Sequence, residues 1–214
     1  MEIALAWLPR LLVAAALTIG LSAVVFTLSA VFGLLLSLVH YGREKSWLRN
    51  GIEAFSAFFR SVPELVVLFL FFFGGPQVGV DFGPIGSTII AFALVGIAFD
   101  YQVFKGALKA VPFGQYEAGL ALGLPKRIVF LRVLIPQVLP LARKGWITYA
   151  IGTVKRMSIA SAVSVSEILY VTKQGIAATN APFTFLTLAV GLYILIVTPL
   201  LVFNERKPKQ VVAR

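Results

Sequence analysis

The sequence predicts an all-α integral membrane protein with five transmembrane helices and a polar elbow on the cytoplasmic face. Three observations carry this. Hydrophobic residues make up 59% of the chain and the mean hydropathy is +0.92, outside the range of a soluble domain. No Asp, Glu, Lys or Arg occurs between Arg10 and Arg43, between Asp81 and Asp100, or between Lys173 and Glu205. Each gap is near or above the ~20 residues a helix needs to cross hydrocarbon. Finally, the stretch EAGLALGLPKRIVFLRVLIPQVLP, from Glu117 to Pro140, interrupts the apolar pattern with glycines, prolines and bases.

Taken in order, the spans are expected at 11–39, 52–73, 87–108, 136–157 and 182–203. The first is too long, and lacks the flanks and cleavage site, for a removed signal peptide. The second carries FRSVPE inside it. Between the second and third, GGPQVGVDFGPIG reads as a turn-rich loop by its glycines and prolines. One membrane domain, 1–214, accounts for the chain, with a cytoplasmic loop at about 105–135 and a short tail at 204–214.

Net charge is +10, which in a soluble protein would point to nucleic acid. Here the bases lie between and after apolar spans, so they set topology instead. Arg43, Lys45 and Arg49 fall in the first loop; Lys105, Lys109, Lys126, Arg127 and Arg132 fall in or beside the third; Arg206, Lys207, Lys209 and Arg214 fall in the tail. The loop after span two has no Lys or Arg, and the loop after span four has Lys173. The positive-inside rule places the N-terminus outside and the tail in the cytoplasm. Cysteine is absent, which excludes a disulfide framework, a thiolate nucleophile and a Cys-ligated metal.

The elbow has its own local logic. Pro112 can open a short helix because its missing N–H falls among the unpaired first-turn donors. PFGQYEAGLAL then gives about three turns, with Phe113, Tyr116 and Leu120 on one apolar face. Gly123 is placed to end it in a left-handed conformation, and Pro125 prevents continuation. Pro125 can start a second short helix, PKRIVFLRVLI, before Pro136 opens the next span. Such an elbow suits either lipid headgroups or a groove in another protein.

Spacing within the elbow carries a resemblance. Glu117-Ala118-Gly119, Gly123 six residues after Glu117, and VLIP at Val133 to Pro136 resemble the EAA loop of ABC importer permeases. That pattern is Glu-Ala-Ala, three residues, Gly, nine residues, Ile-x-Leu-Pro. The chain departs from it with Gly119 for Ala, and with Val133 and Ile135 as conservative changes. FFRSVPELVVLFLFFFG, FKGALKAVPFGQYEAGLALG and MSIASAVSVSEIL extend the likeness to the polar amino-acid uptake permeases of histidine/lysine/arginine and opine type. The resemblance implies a type I ABC importer permease fold in the bacterial inner membrane. It implies a coupling helix, carried by Tyr116, Glu117, Ala118, Gly119, Gly123, Leu124 and Pro125, that seats in a cleft of the cytoplasmic ATPase. The implied partners are an ABC ATPase dimer that holds ATP and Mg, an extracytoplasmic solute-binding protein, and a second permease subunit. VPEL is closest to one member of the paired permeases, and so favours a heterodimer.

Ionisable groups within a bilayer are costly and are site candidates by default. Arg60 and Glu64 are either an i,i+4 pair of opposite charge, or Glu64 faces a substrate pathway and meets a cationic group. Asp100 and Gln102 point to different faces of span three. Asp100 either lines the pathway or pairs with Lys105; the family usually has Glu where Gln102 stands. Lys155 and Arg156 are either headgroup-snorkelling bases or mark a site for an anionic group; the family often has Asp and Thr where Arg156 and Met157 stand. Ser158, Ser161 and Ser164 recur every third residue, a pattern for close helix packing or for substrate contact. His40, the only histidine, is expected at the interface without catalytic duty.

No catalytic residue or metal site is expected, and this chain itself binds no cofactor. It has no G-x-x-x-x-G-K-[ST] or H-E-x-x-H motif. An intramembrane enzyme would need a nucleophile–base pairing that one His near a span end does not supply. A passive channel or scaffold fits the composition but leaves the elbow without a purpose.

Overall fold

The computed structural model describes residues 2–41 and 47–205, with side chains from residue 6 onward. Arg43, Lys45 and the tail bases from Arg206, which entered the topology expectation, lie outside the described residues.

Every element among the described residues is helical: α1 (Glu2–Tyr41), α2 (Trp47–Ser61), α3 (Glu64–Phe69), α4 (Gly75–Gln77), α5 (Gly83–Ala110), α6 (Phe113–Ala121), α7 (Lys126–Ile128), α8 (Ile135–Arg156), α9 (Ile168–Thr179) and α10 (Pro182–Glu205). Two π-helical stretches, Leu70–Gly74 and Val129–Leu134, join α3 to α4 and α7 to α8, and a 3₁₀ stretch, Met157–Val163, follows α8.

Among the described residues, α5, α10 and the part of α1 from Ala6 are long and apolar enough to cross a membrane. Trp47–Ser61 and Glu64–Gln77 qualify only as a bent pair. Length and composition therefore give three or four spans where five are expected. The difference lies in α8, whose 22 residues are long enough but carry Arg143, Lys144, Lys155 and Arg156. The expected second span is broken. Helix α2 ends at Ser61, and α3 starts after Pro63, whose ψ of 132° is not helical. Pro63 offers no N–H and bars Val62 from the α region, so the helix stops there.

The chain gathers into two compact units. One comprises Met1–Thr27, Val62–Ala93 and Ala150–Phe203. In its core, Leu11, Ala14 and Val171 pack with Trp7, Leu188 and Leu192, and Ala15, Ile168 and Ala189 pack with Tyr193 and Ile196. Helix α9, which the sequence reading leaves as loop, is part of this core. Glu167 caps it: the Leu169 and Tyr170 N–H groups donate to the Glu167 carboxylate at 2.9 and 2.7 Å. Tyr193 Oη donates to the same carboxylate at 3.1 Å. Burial nevertheless pushes the Glu167 carboxyl above the ordinary carboxylate range.

The second unit comprises Leu28–Ser61, Leu94–Tyr149 and Asn204–Arg214. Its core is Phe104, Ala107, Leu108, Val111, Leu134, Val138 and Ala142, with Leu34, Leu38 and Tyr41 of α1 packed against it. Within it α1 and α5 approach through small residues. A Cβ on Gly33 would meet Asp100 Cβ at 2.7 Å and the Tyr101 nitrogen at 2.9 Å. A Cβ on Gly96 would meet Ser29 Cβ at 2.6 Å. Gly33→Ala should therefore destabilise by about 1–3 kcal/mol, seen as a lower Tm in detergent. Gly20→Ala, where nothing lies within 4 Å, should not.

Candidate functional site

The elbow closes as its residues require. Pro112 stands at the N-cap of α6, one position before the expected N1. At the other end Gly123 has φ +75°. Its N–H donates to the Leu120 carbonyl at 2.9 Å, and the Leu124 N–H donates to the Gly119 carbonyl at 3.2 Å. This pairing of 5→2 and 6→1 bonds is a Schellman motif. Pro125 then caps α7. The expected second short helix is not separate. After Lys126–Ile128 the chain passes through its π-helical stretch directly into α8, so Pro136 lies inside a continuous helix, just after the i→i−5 bond from the Ile135 N–H to the Phe130 carbonyl, where its ring removes a donor from the ladder.

One face of the elbow is anchored to α1. The Tyr41 ring lies 5.7 Å from Tyr116, 6.1 Å from Phe130 and 6.5 Å from Phe113. Aromatic contacts of this kind add about 0.5–1.5 kcal/mol each beyond area burial. Much of the remaining elbow surface is open: Glu117, Ala118 and Pro125 are exposed, Leu124 is 36% exposed, and Leu122 is 79% exposed. Gly119 is the buried residue of α6. A Cβ there would lie 2.8 and 3.0 Å from the two methyls of Val129. That contact accounts physically for Gly where the resembling pattern has Ala. Gly119→Ala should lower Tm, and adding Val129→Ala should restore it, because the second change removes the methyls that the first would strike.

The polar candidates divide between the units. In the first unit, Arg156 Nε lies 3.2 Å from Glu64 Oε1, with the side chains 28% and 16% exposed. Arg156 Nη2 also donates to Thr153 Oγ1 at 3.3 Å. The i,i+4 pairing of Arg60 with Glu64 is overturned, because the helix that would hold both ends at Ser61. Arg60, which belongs to the second unit, donates instead from Nε to the Ser56 carbonyl and Oγ, both at 3.2 Å. Arg156 is thus engaged by a carboxylate, while Lys155 is exposed. Met157 is fully buried at the start of the 3₁₀ stretch. Ser158 Oγ donates to the Lys155 carbonyl at 2.9 Å, and Ser161 accepts from Lys173 Nζ at 3.0 Å. Ser164 is left-handed with φ 63°, so the three serines do not form a packing stripe on one α-helix.

In the second unit, Asp100 is fully buried and accepts from Ser29 Oγ at 2.6 Å. It does not take Lys105, which pairs with Glu53. Gln102 faces α2, as its offset from Asp100 requires, and its Nε2 donates to Ser56 Oγ at 3.0 Å. Tyr101 Oη donates to Glu53 Oε1 at 2.9 Å and lies 2.7 Å from His40 Nδ1. His40, expected at an interface, is 9% exposed and belongs to this network. Sequence reading missed Glu53 and Glu167. Glu167 had a local signal, an acid just before the apolar run ILYV; Glu53 had none, because its partners Tyr101 and Lys105 are 48 and 52 residues away and His40 lies on another helix. Among the described residues, no three His, Cys, Asp or Glu residues gather to hold a metal.

Comparison with known proteins places this architecture. Residues 29–209 match the family described as binding-protein-dependent transport system inner membrane component. The arginine ABC transporter permease protein ArtQ of Haemophilus influenzae is 30% identical over 196 residues, covering 88% of this chain and 87% of that protein. The octopine transport system permease protein OccQ of Rhizobium meliloti is 29% identical over 202 residues, covering 89% and 85%. The crystal structure of an amino acid ABC transporter with histidines superposes with a TM-score of 0.83 at 19% identity, covering 94% of this chain and 93% of that one. A structure of the MetNI methionine ABC transporter gives 0.77 at 21%, covering 93% and 94%. At those identities the likeness concerns the fold, which is that of ABC importer permeases, as the EAA-like spacing leads one to expect. With the family model matched over residues 29–209, the chain belongs to the binding-protein-dependent transport system inner membrane components.

Proposed function

We propose that this chain is the membrane-spanning subunit of an ATP-driven importer for a polar amino acid or amino-acid derivative. Tyr116, Glu117, Ala118, Gly119, Gly123, Leu124 and Pro125 form the seat for a separate ATPase. The observation that carries this reading is the elbow: it is closed by a Schellman turn, anchored on one face by Tyr41, and open at Glu117, Ala118 and Leu122. An exposed apolar Leu at the capped end of a short helix suits docking into a protein cleft. ATP and Mg belong to the ATPase dimer, because phosphoryl transfer needs a phosphate cradle absent from this sequence. The N-terminus is outside and the elbow and tail are cytoplasmic. A solute-binding protein delivers substrate, a related but different permease chain completes the pathway, and alternating access follows the ATPase cycle.

Glu64, Asp100, Gln102, Arg156, Met157 and Ser158 are the pathway candidates. Glu64 and Arg156 stand out, since together they offer one carboxylate and one guanidinium. The names of the relatives, arginine and octopine permeases, support a substrate that carries both charges. The test is uptake by proteoliposomes that hold the chain, its ATPase, its partner permease and its binding protein. Labelled arginine should accumulate only with ATP and binding protein, and polar amino acids or opines should compete. Equal uptake without ATP would make the chain a passive pathway.

A further inference from the structure

A recess lies where α1 meets α9, and none of the pathway candidates lines it. It holds about 410 Å³ and is lined by Arg10, Gln174 and Ser166 on its polar side and by Val13, Ala14 and Val171 on its apolar side. We propose that it is a binding site for one anionic phospholipid. The phosphate would sit between the Arg10 guanidinium, the Gln174 amide and the Ser166 hydroxyl, with an acyl chain along Val13 and Val171.

Four features favour this occupant. Arg10 is the last charged residue before the uncharged stretch that ends at Arg43, so the recess sits where hydrocarbon gives way to headgroups. The Arg10 guanidinium lies 5.0 Å from the centroid of the Trp7 ring, which orients the cation. Trp7 is fixed in turn by an edge contact with Phe185 at 5.6 Å, and tryptophan is the residue that favours headgroup level. The lining contains a cation, an amide and a hydroxyl but no carboxylate, while Val13 is 72% exposed. A donor set over an apolar strip complements a phosphodiester carrying a hydrocarbon tail. The volume lies within the ~300–1,000 Å³ of small-molecule sites.

The test uses the complex purified with its partner subunits, stripped of lipid and titrated with phosphatidylglycerol or phosphatidylethanolamine, with bound lipid counted by native mass spectrometry. The wild type should retain one phosphatidylglycerol in preference to phosphatidylethanolamine. Arg10→Gln should weaken that retention about fivefold, the effect of one base near an anionic surface. Gln174→Leu, which keeps the charge, should weaken it too. Retention of phosphatidylglycerol by Arg10→Gln at the wild-type level, or equal wild-type retention of both lipids, would overturn the proposal. Because the chain has no cysteine, Val13→Cys supplies a single reporter. Phosphatidylglycerol should shield it from maleimide, whereas crosslinking to a protein partner from this position would assign the recess to that partner.

Discussion

Gly123→Val should lower ATP-driven uptake about 5- to 30-fold while leaving the chain in the membrane at near wild-type yield. Gly123 holds φ +75°, and a left-handed backbone costs an L-residue about 1–2 kcal/mol, more when it is β-branched. No atom lies within 4 Å of the Cβ that would be added, so the penalty is conformational and not a clash. The Schellman bonds to the Leu120 and Gly119 carbonyls would open, and with them the angle at which α6 meets the following turn. A loss of about 1–2 kcal/mol reduces the closed elbow population relative to its alternatives about 5- to 30-fold. Gly123→Asn is the matched control, because asparagine tolerates the left-handed region; uptake there should stay within a few-fold of wild type. If valine and asparagine behave alike, the cap geometry is irrelevant to transport.

The second large effect concerns the Glu64–Arg156 pair. Arg156→Gln removes the guanidinium and strands a carboxylate that is 16% exposed. Breaking a pair of this burial costs about 3 kcal/mol, at the low end of the range for buried pairs because both side chains retain some exposure. Thermal unfolding in detergent should show a Tm loss of several degrees. Glu64→Gln alone should also destabilise, by stranding the cation. The double variant Glu64→Gln/Arg156→Gln should recover most of the loss, since a neutral pair carries no uncompensated charge. Additive losses in the double variant would mean that the two side chains act independently. Uptake separates a structural pair from a substrate site: a pathway role predicts a raised KM in the thermally recovered double variant, and a purely structural role predicts normal uptake.

What the sequence showed depended on distance along the chain. The elbow was legible because its determinants are local: a proline, a left-handed glycine and a second proline, each acting within a turn of itself. Helices α1, α5 and α10 were legible because their charge-free runs suffice to identify them. Helix α9 was missed because its 12 residues are short and moderately apolar, and its cap is Glu167, which is outside the usual Ser, Thr, Asp and Asn set. The break at Val62-Pro63 lay in plain view, but hydropathy alone ran the span through it. The partner of Glu64 was out of reach, since Arg156 lies 92 positions on by the numbering and no spacing rule connects them. Local pattern likewise placed Gly119 in the motif, but only the Val129 methyls explain why it is glycine.

The central claim is that an ATPase seats on the open surface of the elbow, and recovery of that ATPase with the tagged chain tests it most directly. The chain would be expressed with its neighbouring genes, tagged, and purified in several mild detergents. The ATPase should come down with the wild type and be lost with Leu122→Glu, which places a charge on the most exposed apolar side chain of the elbow while leaving the Tyr41 anchor intact. Absence of any ATPase from the wild-type eluate in every detergent, or undiminished recovery with Leu122→Glu, would contradict the assignment and leave the elbow as a lipid-facing loop.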